Sequence, residues 1–263
     1  MKEISISEVH KHLLDIAIVF DKICNDNNIE YWMLGGTMLG AVRHKGFIPW
    51  DDDMDFGVKR ADYERLKNIL RESLPLEYRI LTNMDSDTII ADVIKIEDVR
   101  TKVTEIGLES VESSKGVNID IFPLDYTNSD FGKFSRNRWI HLLSRLQSYR
   151  YTPVVPKQIK QRIFWIISFC FFPFVSKKMS TQWINRLLVR TTGTHLANHY
   201  GAWGLKEIVP VSAFEPSCKY QFEEILLSGV KNSHLYLSTL YKDYMTLPPE
   251  NKRHIHLGTF YEI

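Results

Sequence analysis

Asp53 and Asp55 stand two residues apart in Asp53-Met54-Asp55-Phe56-Gly57-Val58. Polar and apolar residues alternate there, so in an extended strand the two carboxylates share one face while Met54, Phe56 and Val58 share the other. Like charges crowded in this way repel, and a divalent cation relieves the repulsion. Upstream, an apolar and aromatic run over 29–34 ends at Gly35-Gly36, and residues 37–43 can open a helix. In such a strand, glycine turn and helix, the turn amides and the helix dipole receive phosphate oxygens. Carboxylates that hold Mg²⁺ or Mn²⁺ beside a phosphate cradle are what metal-assisted phosphoryl or nucleotidyl transfer needs. Asp120, in the alternating Asn118-Ile119-Asp120-Ile121-Phe122, supplies a third carboxylate. From a neighbouring strand it would complete the metal ligation and help deprotonate the attacking hydroxyl.

Other residue types fit the same chemistry less specifically. Arg43, His44 and Lys45 could neutralise phosphates, although a basic loop cluster is commonly only solvated. Gly36 and Thr37 would offer backbone N–H groups to phosphate oxygens. Trp50 could hold a quaternary ammonium against its face, whereas Trp32 reads as core. A solvated acidic turn is the plain alternative for residues 51–55. A calcium loop of the EF-hand type fails on the position of Gly57 and on Asp62, where a glutamate is required. His254 and His256 have no carboxylate partner nearby in sequence, which favours surface or supporting roles over metal ligation.

The elements that must position these groups can be read from periodicity. Ser5 and Glu8 make a capping box before a helix running to residue 25 with Val9, Leu13, Ile16, Ala17, Phe20 and Ile23 on one face. A surface helix is expected over 61–74, and strands over 78–81, 89–96, 101–106 and 117–122. The fold class is therefore α/β, in the α+β sense: a mixed sheet with flanking helices, followed by a largely helical C-terminal part.

The 263 residues carry 33 Lys and Arg against 32 Asp and Glu, a net charge of +1 that argues against a nucleic-acid partner. Three separated cysteines fit neither a disulfide framework nor a zinc site. With an N-terminus lacking the features of a signal peptide, they place the protein on the cytoplasmic side. The near-neutral total hides an asymmetry. Residues 131–206 contain 13 Lys and Arg and no Asp or Glu. Three regions are expected: a catalytic core over 1–130, a basic, apolar-rich helical region over 131–206, and a segment over 207–263 that completes the site. The apolar run 163–175 is too short to span a bilayer, so it is either a buried helix or an interfacial segment on the inner face of the cytoplasmic membrane, against anionic lipid.

The stretch YWMLGGTMLGAVRHKGFIPWDDDMDFGVKRADYERL, followed in order by KIEDVRTKV, NIDIFPLD and YKDYMTLPPENKRHIH, closely resembles the signature of the LicD family, phosphocholine transferases of bacterial surface glycans distantly related to the fukutin-like proteins. The resemblance implies a nucleotidyltransferase-like fold and divalent-metal dependence. It further implies transfer of a phospho-alcohol from CDP-choline, or a related CDP-alcohol, to a sugar hydroxyl of a lipopolysaccharide, teichoic acid, capsule or lipid-linked glycan. It matches the family's aspartates to Asp53, Asp55 and Asp120. Independently of the resemblance, the residues expected to bind the donor are Gly35, Gly36, Thr37, Arg43, His44, Lys45, Trp50 and Lys95. Where the family often has Tyr-Gly-Asp, this chain has Tyr241-Lys242-Asp243, a change expected to alter a loop without touching the metal site. The alternatives are a glycosyltransferase with an Asp-x-Asp metal site and a catalytically inactive, membrane-associated subunit of glycan assembly.

Overall fold

The computed structural model describes residues 1–86, 89–105, 116–132, 135–151, 156, 158–188, 192–253 and 258–263. In chain order its first half comprises β1 (Lys2–Glu3), α1 (Ile6–Asp26), β2 (Tyr31–Met33), α2 (Gly35–Arg43), β3 (Asp55–Lys59), α3 (Arg60–Ser73), β4 (Tyr78–Leu81), β5 (Ile94–Asp98), β6 (Thr101–Glu105) and β7 (Asn118–Thr127). The helices α4 (Arg136–Tyr151), α5 (Ile159–Phe171) and α6 (Lys177–Leu188) follow. Then come β8 (His195–Ala197), β9 (Ile208–Pro210), α7 (Val211–Phe214), β10 (Cys218–Phe222), β11 (Ile225–Gly229), α8 (Ser233–Tyr241) and β12 (Gly258–Glu262). The mixed α/β class read from the sequence is the one observed, with the helices concentrated in 136–188 and short strands interleaved beyond.

The main sheet runs β2-β3-β7-β5-β4, and β8 and β9 extend it from the far end of β7. β3 and β7 are parallel, while β2–β3, β5–β7 and β4–β5 are antiparallel. One face of this sheet is covered by α1. The capping box forms as expected, with Ser5 and Glu8 satisfying each other's backbone N–H, and Val9, Leu13, Ile16, Ala17 and Phe20 are buried. Met54, Phe56 and Val58 point into the same core, as the alternation requires. Residues from β8 to α8 join this core as well, including Leu196, Phe214, Phe222 and Leu237. A second, smaller core of Ile140, Leu146, Phe172, Ile184 and Leu188 lies among α4, α5 and α6.

The structure departs from the sequence reading in two places and bears on a third that the sequence leaves open. The glycine pair is not a turn before α2 but its first two residues. The β5 strand begins only at Ile94, and Asp92 before it pairs with Arg60, their Oδ2–Nη1 distance being 2.7 Å. Of the apolar run over 163–175, Phe172 enters the small core with Phe164 and Val175 packed against it, while within α5 itself only Ser168 is buried. Ile106, at the end of one expected strand, lies outside the described residues, as do His254 and His256.

Candidate active site

Three adjacent strands bring the chemistry into one row. Asp120 on β7 is in register with Asp55 on β3 and with Lys95 on β5. Residues directly opposite one another project to the same face of a sheet, so the order across the row is Asp55, Asp120, Lys95. The Lys95 Nζ lies 2.5 and 2.6 Å from the two Asp120 carboxylate oxygens. Asn118 donates a further hydrogen bond to Asp120 Oδ1 at 2.7 Å. Asp53 precedes β3, and the alternation of half-buried aspartates with buried partners already holds there.

Charge crowding is strongest at Asp55. Burial, and then the charges of Asp53, Asp120 and Glu207, push its carboxyl well above the usual carboxylate range, while Lys95 acts against them. Burial alone would lower the Lys95 ammonium, but Asp120, Asp55 and Asp53 hold it above the usual lysine value. A set of carboxylate oxygens repelling one another is the donor chemistry that suits a hard divalent cation. Among the described residues, however, no three ligating side chains already surround a single point. Lys95 therefore supplies the positive charge that faces Asp120.

The start of α2 is packed onto these carboxylates. Gly35 has φ +48°, and a Cβ on it would stand 3.3 Å from Asp55 Oδ2. A Cβ on Gly36 would lie only 2.6 Å from Asp51 Oδ2, so glycine is required there by close approach rather than by backbone conformation. The Gly35 N–H donates to the Tyr236 hydroxyl at 3.0 Å, so its hydrogen bond goes to protein. The Thr37 hydroxyl accepts from the Asp55 N–H at 2.8 Å and ties α2 to β3.

A cleft of about 660 Å³ opens over this arrangement, lined among others by Gly36, Arg43, Trp50, Asp51, Asp53 and Asp55. Its opposite wall contains Ala202, Trp203, Tyr241, Asp243 and Tyr244. Trp50 already carries a cation on its ring: the Arg253 guanidinium lies 4.9 Å from the centroid. Trp203 and Tyr241 meet edge to face at 4.8 Å. Arg43 donates to the Tyr244 carbonyl at 2.9 Å, and the His44 ring stands edge-on to Trp50 at 6.4 Å. Lys45, past the far end of α2, is exposed and is not among the residues lining this cleft. Trp32 is fully buried and donates to the Phe214 carbonyl, a core residue as read from the sequence.

In the 241–243 loop, Lys242 adopts φ 63°, a conformation that glycine accepts without strain and lysine seldom adopts. Its neighbour Tyr241 lines the cleft and lies within the electrostatic reach of Asp55, which makes the loop part of the site.

Sequence patterns did not reveal Glu207, Trp203 or Ala202. Glu207 is 6% exposed and accepts from the Trp203 N–H at 2.8 Å. Burial pushes its carboxyl up to about 7 despite hydrogen bonds from Trp203 and Asn198. No periodicity or spacing ties this residue to Asp55. Ala202 and Trp203 also line a second cleft of about 620 Å³, together with His141, Ser144, Arg145 and Lys206.

Known proteins resemble this chain in sequence. Residues 28–156 match the family model described as LicD/FKTN/FKRP, nucleotidyltransferase domain. The lipopolysaccharide cholinephosphotransferase LicD of Haemophilus influenzae is 28% identical over 97% of this chain and 97% of its own length. An uncharacterized protein of Rickettsia typhi is 47% identical over 62 residues, 24% of this chain and 20% of that protein. Human ribitol 5-phosphate transferase FKRP is 50% identical over 34 residues, covering 13% of this chain and 7% of that protein. Residues 28–156, which hold the whole Asp55–Asp120–Lys95 row, thus match the LicD-family nucleotidyltransferase domain, and nearly the full chain is similar to a LicD cholinephosphotransferase.

Proposed function

We propose that the protein transfers phosphocholine from CDP-choline to a sugar hydroxyl of a surface glycan, lipopolysaccharide being the acceptor class named for the Haemophilus influenzae relative. The observation that carries this reading is the row of Asp55, Asp120 and Lys95, whose Asp55 lines an aromatic-walled cleft together with Gly36 and Asp53. The donor diphosphate lies toward Gly36, Thr37, Arg43, His44 and Lys95, with Lys45 contributing only long-range positive charge. The choline cation lies against the aromatic wall of Trp50, Trp203, Tyr241 and Tyr244, replacing Arg253 on Trp50. Asp53, Asp55 and Asp120 would hold a divalent cation, Mg²⁺ or Mn²⁺, which when bound neutralises the diphosphate.

The acceptor occupies the second cleft, which meets the first at Ala202 and Trp203. Its hydroxyl oxygen attacks the phosphorus that bears choline, the bond from that phosphorus to the CMP oxygen breaks, and CMP leaves. A carboxylate of the row takes the hydroxyl proton. The test is CMP release from CDP-choline with a lipopolysaccharide acceptor. Asp55→Asn and Asp120→Asn should each lower turnover by about 100-fold or more in protein whose circular dichroism is unchanged. Near-normal turnover by folded Asp120→Asn would remove Asp120 from the mechanism. Release of UDP or GDP from a nucleotide sugar instead would identify a glycosyltransferase.

A further inference from the structure

Helix α5 packs Phe164 against the small core and leaves most of its other apolar residues outside. Ile159 is 77% exposed, Ile163 51% and Ile166 60%. With Cys170 they recur at i, i+4, i+7 and i+11, so they form one face of the helix, and Ile167 lies beside them. Lys160 and Arg162 flank this face on its two sides and are themselves exposed. The small core beneath takes Phe172, while Phe174 just beyond is fully exposed. In α6, Met179, Trp183 and Leu187 are exposed at i, i+4 and i+8, next to Lys178, Gln182 and Arg186.

Aromatic groups of α5 are paired with cations rather than with apolar neighbours alone. The Arg150 guanidinium lies 4.4 Å from the Phe169 ring centroid, and that of Arg145 lies 5.0 Å from Phe164. Apolar side chains bordered by guanidinium and ammonium groups suit a boundary between acyl chains and headgroups. No helix among the described residues is long and apolar enough to cross a membrane. The 13 residues of α5 span about 20 Å, short of the roughly 30 Å hydrocarbon core, so the helix would lie in the plane of the interface.

We propose that α5, with the exposed stripe of α6, docks the protein peripherally on a membrane surface rich in anionic lipid. Charge complementarity selects this occupant: residues 131–206 carry 13 basic and no acidic residues, and an anionic bilayer meets both the apolar face and its charged borders. The site of transfer is not involved, so this docking stands or falls independently of the proposed reaction.

The experiment is co-sedimentation of the full chain with vesicles of equal parts phosphatidylglycerol and phosphatidylcholine, and with phosphatidylcholine alone. Binding is expected to the anionic vesicles and to weaken in high salt. Ile163→Glu combined with Ile166→Glu should weaken it by about tenfold or more, with unchanged circular dichroism. Lys160→Gln and Arg162→Gln, which leave the apolar face intact, should each weaken it by about fivefold. Absence of binding at low salt, or undiminished binding by the folded variants, overturns the proposal. So does a dimer in sedimentation velocity that the Ile163→Glu, Ile166→Glu chain loses without any vesicle binding by the parent, since a second copy would then cover the face.

Discussion

At Gly36 a single hydrogen atom keeps a carboxylate in place. Alanine there would put its Cβ 2.6 Å from Asp51 Oδ2 and push that carboxylate across the cleft. Within a helix, alanine is intrinsically favoured over glycine by up to about 1 kcal/mol. Gly36→Ala should therefore lower kcat/KM by about tenfold while the melting temperature holds or rises, as parallel kinetics and calorimetry would reveal. Glu207 has the opposite character, costing stability where it is ionised. Its carboxyl titrates near 7 in the folded protein against an ordinary value of 4.5, so the folded state binds the proton more tightly than the unfolded chain. Its contribution is full below the ordinary value and is lost as pH rises through about 7, a change of about 3 kcal/mol. Glu207→Gln should flatten the pH dependence of urea unfolding over this window, and an unchanged slope would assign that dependence to other groups, Asp55 first.

Between elements, Arg60 joins what separate strands and helices would otherwise leave apart. From the start of α3 its guanidinium pairs with Asp125 of β7 through two 2.9 Å contacts and with Asp92 at 2.7 Å. Asp92 also accepts from Asn185 of α6 at 2.7 Å, and Asn185 accepts from Tyr200 at 3.0 Å. The sheet and the helical region are thus clamped through buried charge. Arg60→Ala would remove the guanidinium that pairs with two buried carboxylates and should cost roughly 3–5 kcal/mol in urea unfolding. The two aspartates of NIDIFPLD accordingly serve different ends: Asp120 faces the row under the cleft and Asp125 holds Arg60. This division was invisible in the sequence, where both simply alternate with apolar residues. What local pattern encodes was legible: the Ser5–Glu8 cap, the inward face of α1, and the shared face of Asp53 and Asp55. What depends on register was not. Lys95 meets Asp120 only because β5 pairs antiparallel with β7 at that residue. Glu207 and Trp203 reach the site from the 3₁₀ turn and loop between β8 and β9, where no period announces them.

Across the whole molecule, basic and acidic functions occupy different regions, and the net charge of +1 is their cancellation. Under the proposed reaction, chelation of the divalent cation by EDTA should abolish turnover and added Mg²⁺ should restore it. Persistence of turnover in excess chelator would leave Lys95 as the cation opposite Asp120. The seam between the two clefts is a dipeptide, Ala202-Trp203, shared by both linings. With one wall common to both pockets, whatever fills the first alters the second. Donor and acceptor should then both be aboard before either product departs. Initial-rate plots at varied donor and several fixed acceptor concentrations should intersect; parallel lines would mean that a covalent phosphocholine-enzyme forms first. Trp203→Ala should make the two apparent Michaelis constants independent of one another, turning a conversation between substrates into two separate equilibria.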